Sequence, residues 1–340
     1  MFNFTKTEIL GLDIGSSSVK AVRLCKDESG YSVAAVGFAE IAATEEINKN
    51  LNTINAIREC FELVGSRTKY AVCGLSGPEV AVRDFEFPSL SSSEIDGAVL
   101  FEASQVCPFN AAESAVDYHL APNGDDKTRG TLVAATNSLI ANKVNLAKEA
   151  ALKCVLMDVE GLALLNCFNG LADDSDESTT AILNVGGSCT TVAIMGVNGR
   201  PFIRDMTFAG HDIITQIAAE KTMSSEEVRK ILSGDSTEAR AQLHDSLART
   251  CQKLIVDVSK TLRYYATQEQ SRPVEKLYVC GGFALTRGFV ELLNGQLGVE
   301  AVLWNPFEAA RCDTGDQFGD ICSKRGPAMA VAAGLAMRSV

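Results

Sequence analysis

The sequence predicts an α/β protein made of two related halves, and three observations support this fold class. A strand, a glycine-serine turn and a second strand follow one another at residues 10–20, and the same order returns at residues 181–191. Between and after these segments, alternating strand patterns give way to helical periods, as in a mixed α/β fold. The 340 residues, 46% of them hydrophobic, are enough for about two domains.

The net charge and the spacing of the cysteines argue against several classes of binding site. The net charge of −12 argues against a broad nucleic-acid contact, which needs clustered lysine and arginine, and against wide docking on anionic lipid. Eleven cysteines are scattered without a Cys-x-x-Cys pair, so a zinc site or a redox pair has little support. Such usage is typical of buried thiols in a reducing cytoplasm.

The chain carries no predicted membrane segment. Residues 1–6 lack a long apolar run behind a basic one, so we expect no signal peptide. The weakly apolar stretch at residues 328–337 is well short of the roughly 20 residues that cross a bilayer. We therefore expect no direct membrane insertion, and a role at a membrane would need a partner.

In the first half, strands are predicted at residues 9–24, where the turn interrupts them, and at 31–41, 70–75 and 80–87. A helix is predicted at 52–64, where apolar residues recur with a helical period. Ser91 to Ser93 followed by Glu94 predicts the start of another helix, which runs to about residue 106. Strands at 116–120 and 131–136 and a helix at 137–152 complete an α+β insert.

In the second half, the acidic residues 171–178 predict the boundary between the halves, or else a solvated loop. The repeated strand-turn-strand follows at 180–195, and Asn198-Gly199 predicts a hairpin turn into a strand at 200–206. Residues 224–270 are predicted to be helical. Later elements are strands at 277–279 and 302–304 and helices at 286–297 and 327–338.

The two repeated turns have the composition of phosphate-binding loops. Gly15 and Gly186 let the backbone approach a ligand, and successive N–H groups in a tight turn form an anion-binding concavity. The turns add hydroxyl donors at Ser16, Ser17, Ser18, Ser188 and Thr190. Asp13 is a candidate ligand of a hydrated Mg²⁺, and Lys20 adds positive charge. Either turn alone is also compatible with an ordinary hairpin, whereas two facing turns would form a cleft.

The chain resembles the superfamily of actin, Hsp70 and FtsA, in which two such hairpins and a glycine-glycine turn bind ATP and Mg²⁺ between two halves. More closely, it resembles the PilM family of type IV pilus assembly proteins. The matching segments are LGLDIGSSSVK at residues 10–20, FEASQVCPF at 101–109, GGFA at 281–284 and WNPF at 304–307. They follow in order along nearly the whole chain.

The resemblance implies an actin-like ATPase fold, which is a duplicated ribonuclease H-like α/β fold with four subdomains. Subdomain 1A would comprise residues 1–88 and 155–175, and the inserted subdomain 1C residues 89–154. Subdomain 2A would comprise residues 176–206 and 266–340, and subdomain 2B residues 207–265.

The resemblance also extends the site to the glycine-glycine turn and to a helix that contacts adenosine, where Asp257 and Lys260 stand. These two residues alternatively form a weak pair on a solvated helix face. The whole predicted nucleotide site is Asp13, Gly15, Ser16, Ser17, Ser18, Lys20, Gly186, Gly187, Ser188, Thr190, Asp257, Lys260, Gly281, Gly282, Phe283 and Ala284. The implied cofactors are ATP or ADP with Mg²⁺, which Asp13 would hold through water.

A partner at the membrane is implied in the same way. A PilM-like protein is cytoplasmic, peripheral to the inner membrane, and holds the N-terminal cytoplasmic segment of a PilN-like membrane protein in a groove between 1A and 1C. It would serve the assembly platform of a type IV pilus or a related type II secretion system. The sequence leaves open contacts with cytoplasmic motor components and self-association, and it does not identify the groove residues.

Asn184 departs from the pattern of the superfamily, which usually has Asp at this place in the second turn. Because Asn is neutral, it cannot act as a base or as a charged metal anchor. We therefore expect ATP binding with slow or absent hydrolysis. Two alternatives stay open: a sugar- or acid-kinase-like phosphotransferase, which needs a carboxylate base, and an FtsA-like division protein, which needs an amphipathic membrane helix after the fold.

Overall fold

The structure is a computed structural model that describes residues 8–28, 30–42, 48–122, 126–172, 178–196, 199–234, 236–268, 271–312 and 316–339. Residues 1–6, most of the acidic stretch at the predicted boundary between the halves, and Asn198 of the predicted hairpin turn lie outside these ranges. Within them, none of the helices combines the length and the apolar composition that a membrane crossing needs.

The first of three sheets in the described ranges has six strands, in the order β14-β3-β2-β1-β4-β8. Its strands are β1 (Leu10–Ile14), β2 (Ser18–Asp27), β3 (Gly30–Glu40), β4 (Tyr70–Leu75), β8 (Lys153–Val159) and β14 (Arg311–Cys312). The hairpin β1-β2-β3 is antiparallel, whereas β4 runs parallel to β1 and β8 runs parallel to β4. The predicted strand-turn-strand at residues 9–24 is confirmed.

The second sheet repeats this arrangement in the order β11-β10-β9-β12-β13. Its strands are β9 (Thr180–Val185), β10 (Thr190–Met195), β11 (Pro201–Met206), β12 (Lys276–Cys280) and β13 (Glu300–Leu303). The first three strands, β9, β10 and β11, are again antiparallel neighbours. Strand β12, from later in the chain, lies parallel to β9. The two halves therefore share one topology, as the repeated segment predicts.

The third sheet is small and antiparallel, in the order β5-β7-β6. Its strands are β5 (Val80–Pro88), β6 (Ser114–Leu120) and β7 (Lys127–Thr136). Helix α2 (Ser92–Val106) covers one face and buries Ile95, Val99 and Ala103 against Phe85 and Leu132. The predicted start of α2 is confirmed, because the Ser91 backbone N–H donates to Glu94 Oε2 (2.9 Å).

The remaining helices surround the two larger sheets. They are α1 (Lys49–Val64), α3 (Asn137–Glu149), α4 (Glu160–Leu171), α5 (Gly210–Lys221), α6 (Ser225–Ser233), α7 (Thr237–Ala266), α8 (Phe289–Gln296), α9 (Asp316–Arg325) and α10 (Ala330–Ala336). The region predicted to be helical, residues 224–270, contains two helices, α6 and α7. Gly234 ends α6, and Ser236 starts α7 by accepting a hydrogen bond from the Ala239 N–H (3.3 Å).

Two of the predicted subdomain ranges divide elements that the structure pairs together. β5 was assigned to 1A but pairs along its whole length with β7 of the inserted unit. Residues 311–336 were assigned to 2A, but β14 pairs with β3, and α10 packs against α4 and β1. The four-subdomain division stays a prediction, and we propose that 1C begins at Val80 and that the chain returns to 1A from Arg311.

The core joins the halves. One cluster surrounds the first sheet and also contains Ile182, Ala193, Ile203, Cys280 and Trp304 from the second half. A second cluster fills the space between the second sheet and helices α5 and α7. The hairpins β1-β2 and β9-β10 are thereby anchored in a shared core, which holds the turns at their ends at a defined distance.

Candidate functional site

The two predicted phosphate turns have the same local geometry. In the first, the Gly15 N–H donates to the Ser18 carbonyl (3.1 Å), and in the second the Gly186 N–H donates to the Cys189 carbonyl (2.9 Å). In register, Asp13 lies opposite Lys20 and Asn184 lies opposite Thr191. The turns are structural equivalents, but only the first carries charge.

The turns also lie against each other across the boundary between the halves. A Cβ atom added to Gly187 would stand 2.5 Å from Ser16 Oγ and 2.9 Å from Ser17 Oγ. These distances are shorter than van der Waals contact, so a side chain at residue 187 would require the two hydroxyls to move. Ser16 Oγ is buried and has no hydrogen-bond partner among the described residues. An unpaired buried hydroxyl at this junction fits a ligand oxygen.

Asp13 and Lys20 neutralise each other at the base of the first turn. Lys20 Nζ stands 3.1 Å from Asp13 Oδ2, and each side chain is about one tenth exposed. Lys20 Nζ also lies 3.5 Å from the Ser18 carbonyl. A buried pair of this kind holds both side chains in place beside the turn, where either charge is within reach of a ligand.

The second turn is held by the start of α5. The N–H groups of Gly210 and His211 donate to the carbonyls of Gly186 (3.0 Å) and Gly187 (2.7 Å). Thr190, which the sequence assigns to the ligand, instead donates its hydroxyl to the Phe208 carbonyl (2.9 Å). Its side chain therefore orients the chain that enters α5. Ser188 is exposed at the tip of the turn.

The glycine-glycine turn lies beside the second phosphate turn. Gly281 has φ 94°, and a Cβ there would stand 2.5 Å from Asn184 Oδ1 and from the Val185 carbonyl. Only glycine fits this backbone and this close approach. Gly282 is exposed, and Phe283 and Ala284 are buried in the short 3-10 helix Phe283–Leu285 that follows.

Three charged residues that were not predicted to belong to the site lie beside these turns. They are Glu160, Lys143 and Asp205. Glu160 begins α4 and is buried. Its pKa is raised from 4.5 to about 7, chiefly by burial and also by the charge of Asp13, while Lys143 opposes the shift. Lys143, from α3, donates to the Ile14 carbonyl (2.5 Å) at the start of the first turn. The signal for Glu160 was an acid at a helix N-terminus directly after a buried strand.

Asp205 ties the halves together next to this cluster. One of its oxygens accepts from the Gly77 N–H (2.7 Å) in the first half, and the other accepts from Thr191 Oγ1 (2.6 Å) in the second. Burial raises the pKa of Asp205, and these two hydrogen bonds lower it. Within the described residues, no group of three His, Cys, Asp or Glu side chains could hold a metal ion.

A cavity of about 820 Å³ opens beside the glycine-glycine turn. Residues 284–288 form one wall, and Arg240, His244 and Asp245 of α7 stand among its other lining residues. Ala284 is the one predicted site residue in this lining. Asp257 is twelve residues beyond Asp245, which is about 18 Å along a helix, and neither it nor Lys260 lines the cavity.

The whole chain from residue 11 to 340 matches the family model described as type IV pilus assembly protein PilM. A solved PilM-PilN type IV pilus biogenesis complex has a chain of the same fold, with TM-score 0.81 and 24% identity over 98% of this chain and 99% of that one. The ethanolamine utilization protein EutJ from Carboxydothermus hydrogenoformans has TM-score 0.56 and 15% identity over 96% of this chain and 88% of that one.

A curated relative is the cell division protein FtsA of Bacillus subtilis, strain 168, which is 21% identical over 253 residues. The match covers 65% of this chain and spans 56% of that protein. Together with the architecture described above, these similarities establish the predicted actin-like fold.

The raised pKa of Glu160 predicts a pH dependence of stability. The carboxyl ionises near pH 4.5 in the unfolded chain and near pH 7 in the folded one, so its contribution is complete below pH 4.5 and is lost as the pH rises through 7. Glu160→Gln should remove this loss, on the order of 2 kcal/mol between pH 4.5 and 7.5. Urea unfolding of both proteins across that range measures it.

Glu62→Gln, at an exposed position, is the matched control and should keep the wild-type dependence. If the wild type and Glu160→Gln change in parallel with pH, the buried carboxyl does not titrate as described.

Proposed function

The chain belongs to the family of type IV pilus assembly proteins PilM, and from this membership we propose that it is a nucleotide-binding adaptor that holds a PilN-like membrane protein. The proposal has two parts, a nucleotide in the cleft between the halves and a peptide on the surface. It places the protein in the cytoplasm, at the inner membrane through its partner.

The contact between the two glycine-serine turns carries the nucleotide proposal. Gly187 of the second turn lies next to the Ser16 and Ser17 hydroxyls of the first, and the buried Ser16 hydroxyl has no partner among the described residues. Tight turns of this kind bind phosphate oxygens through backbone N–H groups. A nucleotide would therefore separate Gly187 from Ser16 and Ser17 slightly and bridge the two halves.

Asp13 is the candidate anchor for Mg²⁺, through water. The ion usually keeps several waters and takes one or two carboxylates together with phosphate oxygens, which suits a single carboxylate near a phosphate turn. When bound, it neutralises phosphate charge. Lys20 and Lys143, which stand on either side of the turn, would add positive charge to the same place.

The cavity beside Ala284 is the candidate pocket for the nucleoside. Its volume of about 820 Å³ exceeds what one base and ribose need, and it adjoins the glycine-glycine turn. We propose that Arg240, His244 and Asp245 take the place that the sequence assigned to Asp257 and Lys260, because the former group lines this space.

Asp13→Asn tests the metal-dependent part of binding. The amide keeps the shape and still accepts a hydrogen bond from Lys20, but it lacks the charge that attracts Mg²⁺. Calorimetric titration should show ATP bound about tenfold more weakly in Mg²⁺, with no further loss in EDTA, whereas the wild type weakens in EDTA. Glu62→Gln serves as the control. Equal affinities for wild type and Asp13→Asn in Mg²⁺ would contradict the role of Asp13.

Hydrolysis is proposed to be slow, because Asn184 is neutral where a second carboxylate would stand. Glu160 is then a candidate base, since a pKa of about 7 leaves it partly ionised near neutral pH. It lies on the side of the first turn, buried next to Asp13, so its access to an attacking water depends on how the ligand opens the junction.

Asn184→Asp is expected to raise turnover by restoring a carboxylate at the second turn. Phosphate release by the purified wild type should be slow and should increase several-fold in the variant, while ATP affinity changes little. Brisk Mg²⁺-dependent release by the wild type, unaltered in Asn184→Asp, would defeat the proposal of slow hydrolysis.

The peptide part rests on the PilM-PilN complex and on an exposed apolar surface. Leu100 and Phe101 of α2, at the start of the FEASQVCPF segment, are 55% and 68% exposed. They lie on the face of α2 that is turned away from the third sheet, whose contacts use Ile95, Val99 and Ala103. An exposed apolar pair on the inserted unit fits an apolar peptide segment.

A synthetic peptide with the N-terminal cytoplasmic segment of the PilN-like protein from the same organism should bind the purified chain. Leu100→Ser/Phe101→Ser should weaken it about tenfold, because exposed aromatic anchors carry much of the energy of such contacts. Leu51→Ser/Leu63→Ser on α1, where exposure is 56% and 44%, is the matched control. Fluorescence anisotropy measures the affinities. No binding by the wild type contradicts the partner, and equal binding by both variants contradicts the α2 surface.

A further inference from the structure

A second cavity lies at the opposite end of the strands of the first sheet from the first phosphate turn. It has a volume of about 580 Å³ and forms where β4 and β8 begin. Its lining residues are Arg67, Thr68, Lys69, Tyr70, Lys148, Ala151, Leu152 and Lys153. Because β1 and β4 are parallel and five residues of β1 separate its start from Gly15, the two places are about 16 Å apart along the strands.

Positive charge is concentrated in this cavity although the protein has a net charge of −12. Half of its lining residues are cations, namely Arg67, Lys69, Lys148 and Lys153. In the part of the chain that the structure describes, none of these four pairs with a carboxylate. Elsewhere lysines do form such pairs: Lys127 pairs with Glu86, and Lys230 pairs with Glu226. Four like charges around one hollow repel each other until an anion enters.

The end of α3 does not need these lysines to satisfy its carbonyls. The carbonyls of Leu146, Ala147 and Lys148 accept from the N–H groups of residues 150, 152 and 151 at 3.1, 2.9 and 2.9 Å. The Glu149 carbonyl accepts from the Arg58 guanidinium (2.6 Å). All four terminal carbonyls are thus occupied, so no side chain of the four cations is needed to hydrogen-bond them.

The backbone instead holds the cations around the hollow. Ala151 adopts φ 63°, a left-handed conformation that is unfavourable for any residue but glycine, and the turn it makes brings β8 back towards α3. The Lys153 N–H donates to the Lys69 carbonyl (2.7 Å), which joins the two lining segments. Lys153 Nζ stands 5.5 Å from the centre of the Tyr70 ring.

We propose that this cavity binds a phosphate group of an anionic ligand. Ammonium and guanidinium groups are the strong partners of phosphate oxygens, and the hollow is wide enough for a phosphorylated small molecule or a lipid headgroup. The site is separate from the cleft between the halves, so it does not depend on the nucleotide proposal. A free phosphate compound and a phospholipid surface share this chemistry, and experiment separates them.

The test compares three full-length proteins: the wild type, Lys148→Gln/Lys153→Gln, and the control Lys221→Gln/Lys324→Gln. Both double variants remove two exposed charges, and the control removes them outside the cavity. One arm titrates inorganic pyrophosphate by calorimetry. The other arm sediments the proteins with vesicles of phosphatidylglycerol or of phosphatidylcholine. Thermal unfolding without ligand verifies that all three are folded.

We expect the wild type and the control to bind in at least one arm and the cavity variant to bind about tenfold more weakly there. If the cavity variant binds pyrophosphate more weakly than the control does, the ligand is a soluble phosphate compound. If it is weakened only in binding to phosphatidylglycerol vesicles, the ligand is a lipid headgroup. Pyrophosphate bound only in the cleft would give equal affinities for all three proteins. Equal affinities in both arms, or no binding by the wild type in either, would overturn the proposal.

Discussion

The close approach of Gly187 to Ser16 and Ser17 is the constraint on which the site depends. It requires the turns of two separate hairpins to meet, and each hairpin is fixed by its own sheet and by a core that crosses between the halves. Because interiors are densely packed, a rearrangement in either sheet would move one turn relative to the other.

The charges around this junction are arranged in a definite order. Lys20 neutralises Asp13, Lys143 donates to the backbone before the first turn, and Glu160 is buried beside them with a raised pKa. The second turn has neutral residues in the equivalent positions, Asn184 and Thr191. The charged side chains therefore surround the first turn, whereas the equivalent positions of the second turn carry an amide and a hydroxyl.

Asp205 adds a mechanical element to this arrangement. Its carboxylate bonds the Gly77 N–H of the first half and the Thr191 hydroxyl of the second, so opening of the junction would strain or break a buried hydrogen bond. Leaving a buried carboxylate without one of its hydrogen-bond donors costs free energy, because water does not replace the lost donor. These hydrogen bonds join the two halves, so any ligand that opened the junction would have to compensate for their loss.

Local patterns were enough to predict the two hairpins, the glycine-glycine turn and the starts of α2 and α6, because each rests on neighbouring residues. Glu160, Lys143 and Asp205 were missed because they reach the site from α4, α3 and β11, and no local pattern shows which residues meet after folding. The sheet membership of β5 and β14 was missed for the same reason. Alternation identifies a strand but not its partner, and β14 has only two residues.

The assignments of Thr190 and Asp257 to the ligand stay predictions, because they rest on residue type and on position along the chain. Hydroxyl and charge content could be read along the chain, but the direction of Thr190 towards Phe208 and the length of α7 depend on packing. Gly15, Gly186 and Gly281 were predicted to lie in tight turns, and the structure places each of them in such a turn.

Hydrogen exchange monitored by mass spectrometry, with and without Mg²⁺ and ATP, tests the central claim most directly. If both turns hold one ligand, amide exchange should slow together in residues 13–20 and 184–191. Slowing in neither segment, or in only one of them, would contradict a shared site between the halves.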